Sequence, residues 1–200
     1  LPSRIVDASE RFVRHLLGDG RFYGRVDDLL SWRSEQLMPG ELLPDTVPFP
    51  EIPPLGSRHE SAIVCMRSHQ GSGAVCIAHH RLHMSGHPRV LILDAHDLPH
   101  DTSECRDAVY ASLREAALAC TPMIVDARRI TADRVAEVIT WVDQGFIPVI
   151  VITGPSMSVD LPPDRIVDVP VAAPAVRAAW LDHLNDQIDS PRTADTLQRL

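Results

Sequence analysis

The chain has 200 residues, 44% of them apolar, which is enough to bury the core of one mid-sized domain. Its 27 acidic and 19 basic residues give a net charge of -8, which argues against a nucleic-acid or anionic-membrane surface. All 19 basic residues are arginines, and the absence of lysine excludes Schiff-base chemistry and the lysine of a phosphate-binding loop.

Two short segments and a linker precede the main domain. Apolar residues at helical spacing predict a helix within residues 3–18, and a second short piece covers Val26 to Trp32. Six prolines between residues 39 and 54 exclude a regular helix or a central strand, so we predict a linker that ends near Gly56. The predicted units are an N-terminal helical segment with its linker (1–56), an α/β domain (57–188) and a polar tail (189–200).

From residue 61 onward, apolar runs alternate with helical patterns, which is typical of a parallel sheet covered by helices. The predicted strands are SAIVCM, RVLILDAHDL, PMIVDA, PVIVITG and RIVDVPV. Helices are predicted at GAVCIAHHRLHMS, at ECRDAVYASLREAALAC, after Thr131 and at APAVRAAWLDHLNDQI. The core face of the second helix is predicted at Val109, Leu113, Ala116 or Ala117, and Cys120. This pattern predicts a three-layer α/β sandwich with a mostly parallel five-stranded sheet.

The segment RSHQGSGAVCIA, residues 67–78, joins the first predicted strand to the next helix, as a phosphate-binding loop does. The form GxxGxGK[ST] uses glycines to wrap backbone N–H groups around phosphates, a lysine to neutralise them and a hydroxyl to bind magnesium. The residues at the corresponding positions are Ser68, Gly71, Ser72, Gly73, Ala74 and Val75. Because the last two replace the lysine and the hydroxyl, the cation and the metal ligand are both missing.

The second half of such a site is an acidic strand end, where an aspartate holds magnesium and a glutamate orients the attacking water. The strand MIVDA keeps Asp126 but has Ala127 where the glutamate would stand. Loss of the lysine alone removes a charge-assisted contact to each of several phosphate oxygens, which weakens phosphate binding strongly. These residues predict a remnant nucleotide pocket that does not hydrolyse its ligand.

The succession of these elements is similar to the core of the AAA+ ATPase family over about residues 57–188. Besides the loop and the strand ending in Asp126, the likeness rests on a strand ending in Thr153 and on a closing stretch with Arg165, Pro170, Arg177, His183 and Leu184. The resemblance implies the strand order 5-1-4-3-2 and places Thr153 at the family's sensor position. Ala74, Val75 and Ala127 depart from the family's motifs, which puts hydrolysis in doubt.

The N-terminal RHLLGDGRF and the proline-rich lead also look like the region before the AAA+ modules of actinobacterial winged-helix ATPases, some of them associated with contractile injection systems. In such proteins a degenerate AAA-like domain can precede the active one. The resemblance also implies an arginine finger that acts across a subunit boundary, for which Arg128, Arg129 and Arg165 are candidates. A plain turn into a helix remains the alternative interpretation of the Gly-Ser-Gly segment.

Two other patterns have alternative interpretations. His79 and His83 lie one helical turn apart, so a zinc pair is geometrically possible, although solvated surface histidines are the interpretation that we favour. Further zinc ligands would come from His80, His87, Asp94, His96 and Asp97. Asp94 and Asp97 of LDAHD also form a possible magnesium or acid–base pair, but we favour their action as caps of the following loop.

The cysteines predict the compartment. Cys65, Cys76, Cys105 and Cys120 form no CxxC pair and lie in apolar patterns, which predicts buried free thiols in a reducing cytoplasm. No apolar run approaches a membrane span, and the N-terminus has no signal pattern. Since the chain begins without methionine and ends in a polar stretch, we expect a cytoplasmic domain cut from a longer protein.

Two functions are compatible with these residues. The first is a non-catalytic AAA+-like domain that binds no cofactor and packs against other domains of the parent ATPase or neighbouring subunits. The alternative is an atypical nucleotide-binding domain or ATPase that binds ATP or ADP with Mg²⁺ through substitute residues. The substitutes would be Asp94, Asp97 and Asp126 for the metal and Arg67 or Arg89 for phosphate.

Overall fold

The computed structural model describes residues 29–33, 49–52, 63–171, 176 and 178–180. The strands are β1 Leu30–Arg33, β2 Ile63–Ser68, β3 Val90–Asp94, β4 Met123–Asp126, β5 Val149–Thr153 and β6 Ile166–Val169. The helices are α1 Ala74–Met84, α2 Thr102–Leu118 and α3 Ala132–Val142, and residues 178–180 are also helical. The helix predicted within residues 3–18, most of the linker and the polar tail lie outside the described residues.

The sheet is mixed and has the order β1-β3-β4-β5-β2-β6. Its last five strands are parallel to one another, whereas β1 is antiparallel to β3. The predicted count of five strands is therefore corrected to six, and the predicted order 5-1-4-3-2 lacks the edge strand β1, although the five predicted strands lie in the order β6-β2-β5-β4-β3 within the sheet. Leu30–Arg33, which the prediction placed in the helical N-terminal segment, pairs with Val90–Leu93 and adds a sixth strand at the edge.

Helices cover both faces of the sheet, as a three-layer sandwich requires. Successive strand residues point to opposite faces, so the two faces carry separate cores. Leu93, Val125 and Val151 pack under α2 and α3. Met66, Ile124 and Ile152 pack under α1, together with Ile52 from the proline-rich segment and Trp180. Because both faces are covered, β2 to β5 consist of nearly continuous apolar runs.

The predicted core face of α2 is confirmed in part. Val109, Leu113 and Ala116 are buried, whereas Ala117 is exposed. Cys120, predicted to belong to the same buried face, is also exposed. It follows the end of the helix with a φ of 48°, so it no longer shares the helical periodicity that the prediction assumed. The other three cysteines are buried as free thiols.

Candidate functional site

The predicted phosphate-binding segment forms the loop between β2 and α1, at the carboxyl edge of the sheet. Gly71 and Gly73 have φ values of 75° and 71°, in the left-handed region that glycine adopts without a steric penalty. Gly73 is the N-cap of α1, and the first turn of that helix carries no acidic residue. The structure thus brings Ser68 to Val75 together at a helix N-terminus, which is the kind of place where proteins bind anions.

Two serine hydroxyls are buried in this loop. Ser68 is 1% exposed and Ser72 is 2% exposed. Neither Oγ atom has a hydrogen-bond partner among the described residues, although the backbone N–H of Ser72 donates to the carbonyl of His69 at 3.2 Å. A buried hydroxyl without a partner costs free energy, which a water or ligand atom that reached it would recover.

The positions that lack the expected charges are part of the hydrophobic core. Ala74, at the lysine position, is fully buried in the core under α1. Ala127, at the glutamate position, is fully buried in the core under α2 and α3. Val75, at the hydroxyl position, is partly buried and packs against the core under α1. Neither alanine therefore supplies a charge to the loop, and each is packed among apolar residues.

The indole ring of Trp180 lies against the loop. A Cβ atom built on Gly73 would be 2.8 Å from Cη2 of Trp180 and 3.1 Å from Cζ3, which is closer than real Cβ contacts allow. Trp180 is 6% exposed and belongs to the core under α1. Sequence reasoning missed this contact, because nothing in the local pattern around either residue connects them.

The carboxylate of Asp126 is bound by the arginine two residues later. Arg128 donates from Nε to Oδ1 at 2.9 Å and from Nη2 to Oδ2 at 2.5 Å, and its backbone N–H also donates to Oδ1 at 3.2 Å. Hydrogen bonding to Asp126 raises the pKa of the Arg128 guanidinium, although burial of that group acts in the opposite direction. Both oxygens of the predicted magnesium ligand are therefore satisfied from within the chain.

Two of the other substitute residues, Asp94 and Arg67, also form hydrogen bonds within the chain. Asp94 accepts from the backbone N–H of His96 at 3.0 Å, which confirms its role as a cap, and it also accepts from Arg129. Arg67 forms two hydrogen bonds of 2.7 Å with Asp168, an interaction that raises the pKa of its guanidinium. Asp97 is exposed, and the residue that caps α2 is Asp101, which accepts from the backbone N–H of Glu104 at 2.9 Å.

Thr153, at the predicted sensor position, is the last residue of β5. It is fully buried, and its Oγ1 lies 3.6 Å from Sγ of Cys65. Val149 and Val151, which share its side of β5, belong to the core under α2 and α3. Burial raises the pKa of the Cys65 thiol, and the hydrogen bond to Thr153 only partly offsets that rise. The side chain of Thr153 thus contacts Cys65 of the neighbouring strand β2.

The histidines of α1 do not form a metal site in the described part of the chain. Within those residues no three histidine, cysteine or acidic side chains lie close enough together to hold a metal ion. His83 is exposed, but His79 is 1% exposed, so the interpretation of both as solvated surface histidines is wrong for His79. Burial lowers the pKa of the imidazole more strongly than a hydrogen bond with the backbone of Arg33 raises it.

The burial of His79 predicts that the free energy of unfolding depends on pH. Desolvation, followed by the charges of nearby residues such as His83, lowers the pKa of His79 from its ordinary value of 6.5, and burial also lowers the pKa of His87. The unfolded chain therefore binds more protons than the folded chain below pH 6.5. The contribution of these two neutral histidines to the free energy of unfolding is fully present above that pH. It falls as the pH falls, by at most about 1.4 kcal/mol per pH unit for each group.

Urea unfolding between pH 5 and 8 measures this dependence. The variant His79→Leu is expected to show a smaller loss of stability between pH 6.5 and pH 5 than the wild type. His83→Gln, which changes an exposed histidine one turn further along the same helix, serves as the matched control and should keep most of the loss, because burial is a larger cause of the lowered pKa of His79 than the charge of His83. Equal pH profiles for the wild type and His79→Leu would contradict the prediction.

Comparisons with known proteins do not assign the chain to a family. No family model matches the chain, and no curated protein matches it. One solved chain, described as the structure of Rhizobiales Trip13, an AAA+ ATPase, aligns with 60% of this chain at 17% identity and a TM-score of 0.35. The aligned part spans 42% of the Trip13 chain, which is less than half of its length.

Two structural properties complete the description of the site. No helix in the described ranges is both long enough and apolar enough to span a bilayer. The mixed sheet with helices on both faces, and with a glycine loop between β2 and α1, is an α/β architecture consistent with a P-loop-like domain.

Proposed function

We propose that this domain is a non-catalytic AAA+-like module of a larger ATPase, with a role in packing, scaffolding or regulation within or between subunits. The supporting observation is that six charged side chains at the carboxyl edge form three ion pairs within the chain. The pairs are Arg67 with Asp168, Arg128 with Asp126, and Arg129 with Asp94. A metal ion at Asp126 would have to displace a bidentate arginine, and a phosphate at Arg67 would have to displace a carboxylate.

Partners and compartment follow from the same proposal. The domain would bind other domains of its parent ATPase or neighbouring subunits, in the cytoplasm. A net charge of -8 disfavours nucleic acid as the partner. No cofactor is required, because the proposed role depends on surface contacts and not on chemistry in the loop.

The test is magnesium-dependent ATP turnover by the purified protein, measured as phosphate release. We expect the wild type to release no more phosphate than Asp126→Asn, a variant that removes the charge of the acidic strand end. Equal rates in the two proteins would identify any activity as a contaminant. Turnover by the wild type that requires magnesium and is lost in Asp126→Asn would overturn the proposal.

A second candidate function is nucleotide binding without turnover, and the buried hydroxyls of Ser68 and Ser72 favour it. Both lie in the loop beside the N-terminus of α1 and lack hydrogen-bond partners among the described residues. Calorimetric titration of ATP and ADP, each with magnesium, into the wild type and Ser72→Ala distinguishes the candidates. Saturable binding that weakens in Ser72→Ala would support this function. The absence of heat with both proteins would leave the packing role.

A further inference from the structure

We propose that β1 is an acid-sensitive edge strand, which leaves the sheet when the imidazole of His79 gains a proton while the other strands stay paired. This inference goes beyond the packing role proposed above, and it does not depend on nucleotide binding or turnover. β3 pairs with β1 on one side and with β4 on the other, so release of β1 would uncover one edge of β3. An uncovered edge presents a row of backbone N–H and C=O groups to which another strand can pair.

β1 is held at the edge of the sheet by a single neighbour. It has four residues, pairs only with β3 among the described strands and runs antiparallel to it. Leu30 is buried, but Ser31 and Arg33 are partly exposed. β4, in contrast, lies between β3 and β5, and three of its four residues are fully buried. Segments with few buried apolar contacts open at a lower free energy than the core, so β1 can open before β4.

The strand register directs Arg33 towards α1. Arg33 lies opposite Val90 of β3, and residues directly opposite each other in an antiparallel pair project to the same face of the sheet. Val90 belongs to the core under α1. His79 of α1 is 1% exposed and forms a hydrogen bond with the backbone of Arg33. The end of β1 is therefore in direct contact with a buried imidazole.

The described groups that act on the charge of His79 are all basic. They are Arg33 of β1 and His80 and His83 of α1, whereas Val90, the residue of β3 opposite Arg33, is apolar. Desolvation is the main reason that the pKa of His79 lies below 6.5, followed by the charge of His83, and Arg33 and His80 act in the same direction. In the described part of the chain, a proton on His79 would thus meet positive groups and no carboxylate.

Protonation of His79 therefore favours the open form of β1. In the closed form the imidazolium would be buried near the guanidinium of Arg33, which is costly in apolar surroundings. In the open form Arg33 has moved away and water reaches the ring, so the imidazole binds its proton with ordinary affinity. A proton that binds the open form more tightly shifts the equilibrium towards it, so opening becomes easier as the pH falls below about 6.5.

Residue-resolved hydrogen exchange of the wild type at pH 7.5 and pH 5.5 tests the proposal, with each rate divided by the intrinsic rate at that pH. The protection of residues 30–33 is expected to fall by up to about tenfold, because a group with an ordinary pKa near 6.5 contributes at most about tenfold per pH unit below it. Residues 123–126 of β4 should be better protected at both pH values. Equal protection of the two strands would show that β1 opens only when the domain unfolds, and unchanged protection of residues 30–33 at pH 5.5 would also overturn the proposal.

His79→Gln keeps a side-chain donor at this position but cannot gain a proton. Residues 30–33 of this variant should be equally protected at pH 5.5 and pH 7.5. His87→Gln is the matched control, since His87 is likewise buried and its pKa is lowered by burial, but it lies after the end of α1. The control should keep the loss of protection. Loss of the pH dependence in His87→Gln, or its persistence in His79→Gln, would assign the effect to another group and overturn the proposal.

His79→Leu is the second variant if glutamine at this position prevents folding. Leucine cannot gain a proton either, and it suits the apolar surroundings under α1, so residues 30–33 should again be equally protected at both pH values. A loss of protection in His79→Leu as large as in the wild type would contradict the proposal. If neither variant folds, the comparison of β1 with β4 in the wild type decides the question.

Discussion

Gly73→Ala is expected to destabilise the domain by about 2–4 kcal/mol, from left-handed backbone strain and overpacking together. The backbone of Gly73 has a φ of 71°, which costs a residue with a Cβ atom about 1–2 kcal/mol. The new methyl group would also lie 2.8 Å from Cη2 of Trp180, and the buried ring has little room to retreat. Urea unfolding at pH 7.5 measures the change as a shift of the midpoint at constant slope.

Gly71→Ala is the matched control for this substitution. It introduces the same methyl group at a φ of 75°, but no described atom lies within 4 Å of the new Cβ. Its expected cost is about 1–2 kcal/mol, from backbone strain alone. The difference between the two alanine variants therefore isolates the contact with Trp180. Equal losses would show that the indole moves aside without cost.

A double-mutant cycle with Trp180→Phe tests the contact directly. The phenyl ring lacks the atoms that would meet the new methyl group, so Gly73→Ala should cost less in the Trp180→Phe background than in the wild type. A coupling energy of about 1–2 kcal/mol is expected for residues in contact. The same cycle with Gly71→Ala should give additive losses. Additivity in both cycles would contradict a direct contact between Gly73 and Trp180.

The parallel strands were predictable because of their surroundings. Strands covered on both faces consist of nearly continuous apolar residues, and IVCM, VLIL, MIV and VIVI are such runs. The core face of α3 was equally predictable from the sequence, because Val135, Val138 and Val142 recur at helical spacing, and all three are buried. β1 was not predictable in this way. LSWR is a short edge strand with two polar residues, and its pairing with β3 is a tertiary contact that periodicity does not encode.

The turn in the loop of the candidate site could be predicted from the sequence, but the pairing of its charged side chains could not. Gly71 and Gly73 indicated a tight turn, and both have the positive φ that such a turn requires. The sequence could not reveal that Arg67 would meet Asp168 from a distant strand, or that Trp180 would cover Gly73. These contacts depend on the placement of β6 and of residues 178–180 beside β2 and α1. Residue type alone suggested free arginines and free carboxylates.

Arg128→Met is expected to destabilise the domain by about 2–3 kcal/mol at pH 7. The side chains of Arg128 and Asp126 are 21% and 16% exposed, so the substitution leaves a largely buried carboxylate without its bidentate partner. Asp126 is also in register with Asp94 on the neighbouring parallel strand, which places a second carboxylate at the next strand end. Methionine keeps most of the side-chain volume, so the expected loss arises from charge and hydrogen bonding.

The adjacent arginine provides the control for this last prediction. Arg129 pairs with Asp94 but is 54% exposed, and Arg129→Met should therefore cost less than about 1 kcal/mol. The double variant Asp126→Asn with Arg128→Met should recover part of the loss, because a neutral amide tolerates the absence of the guanidinium better than a carboxylate does. Urea unfolding of all four proteins measures these differences. If Arg128→Met and Arg129→Met cost the same, Arg128 is not a buried counter-charge of Asp126.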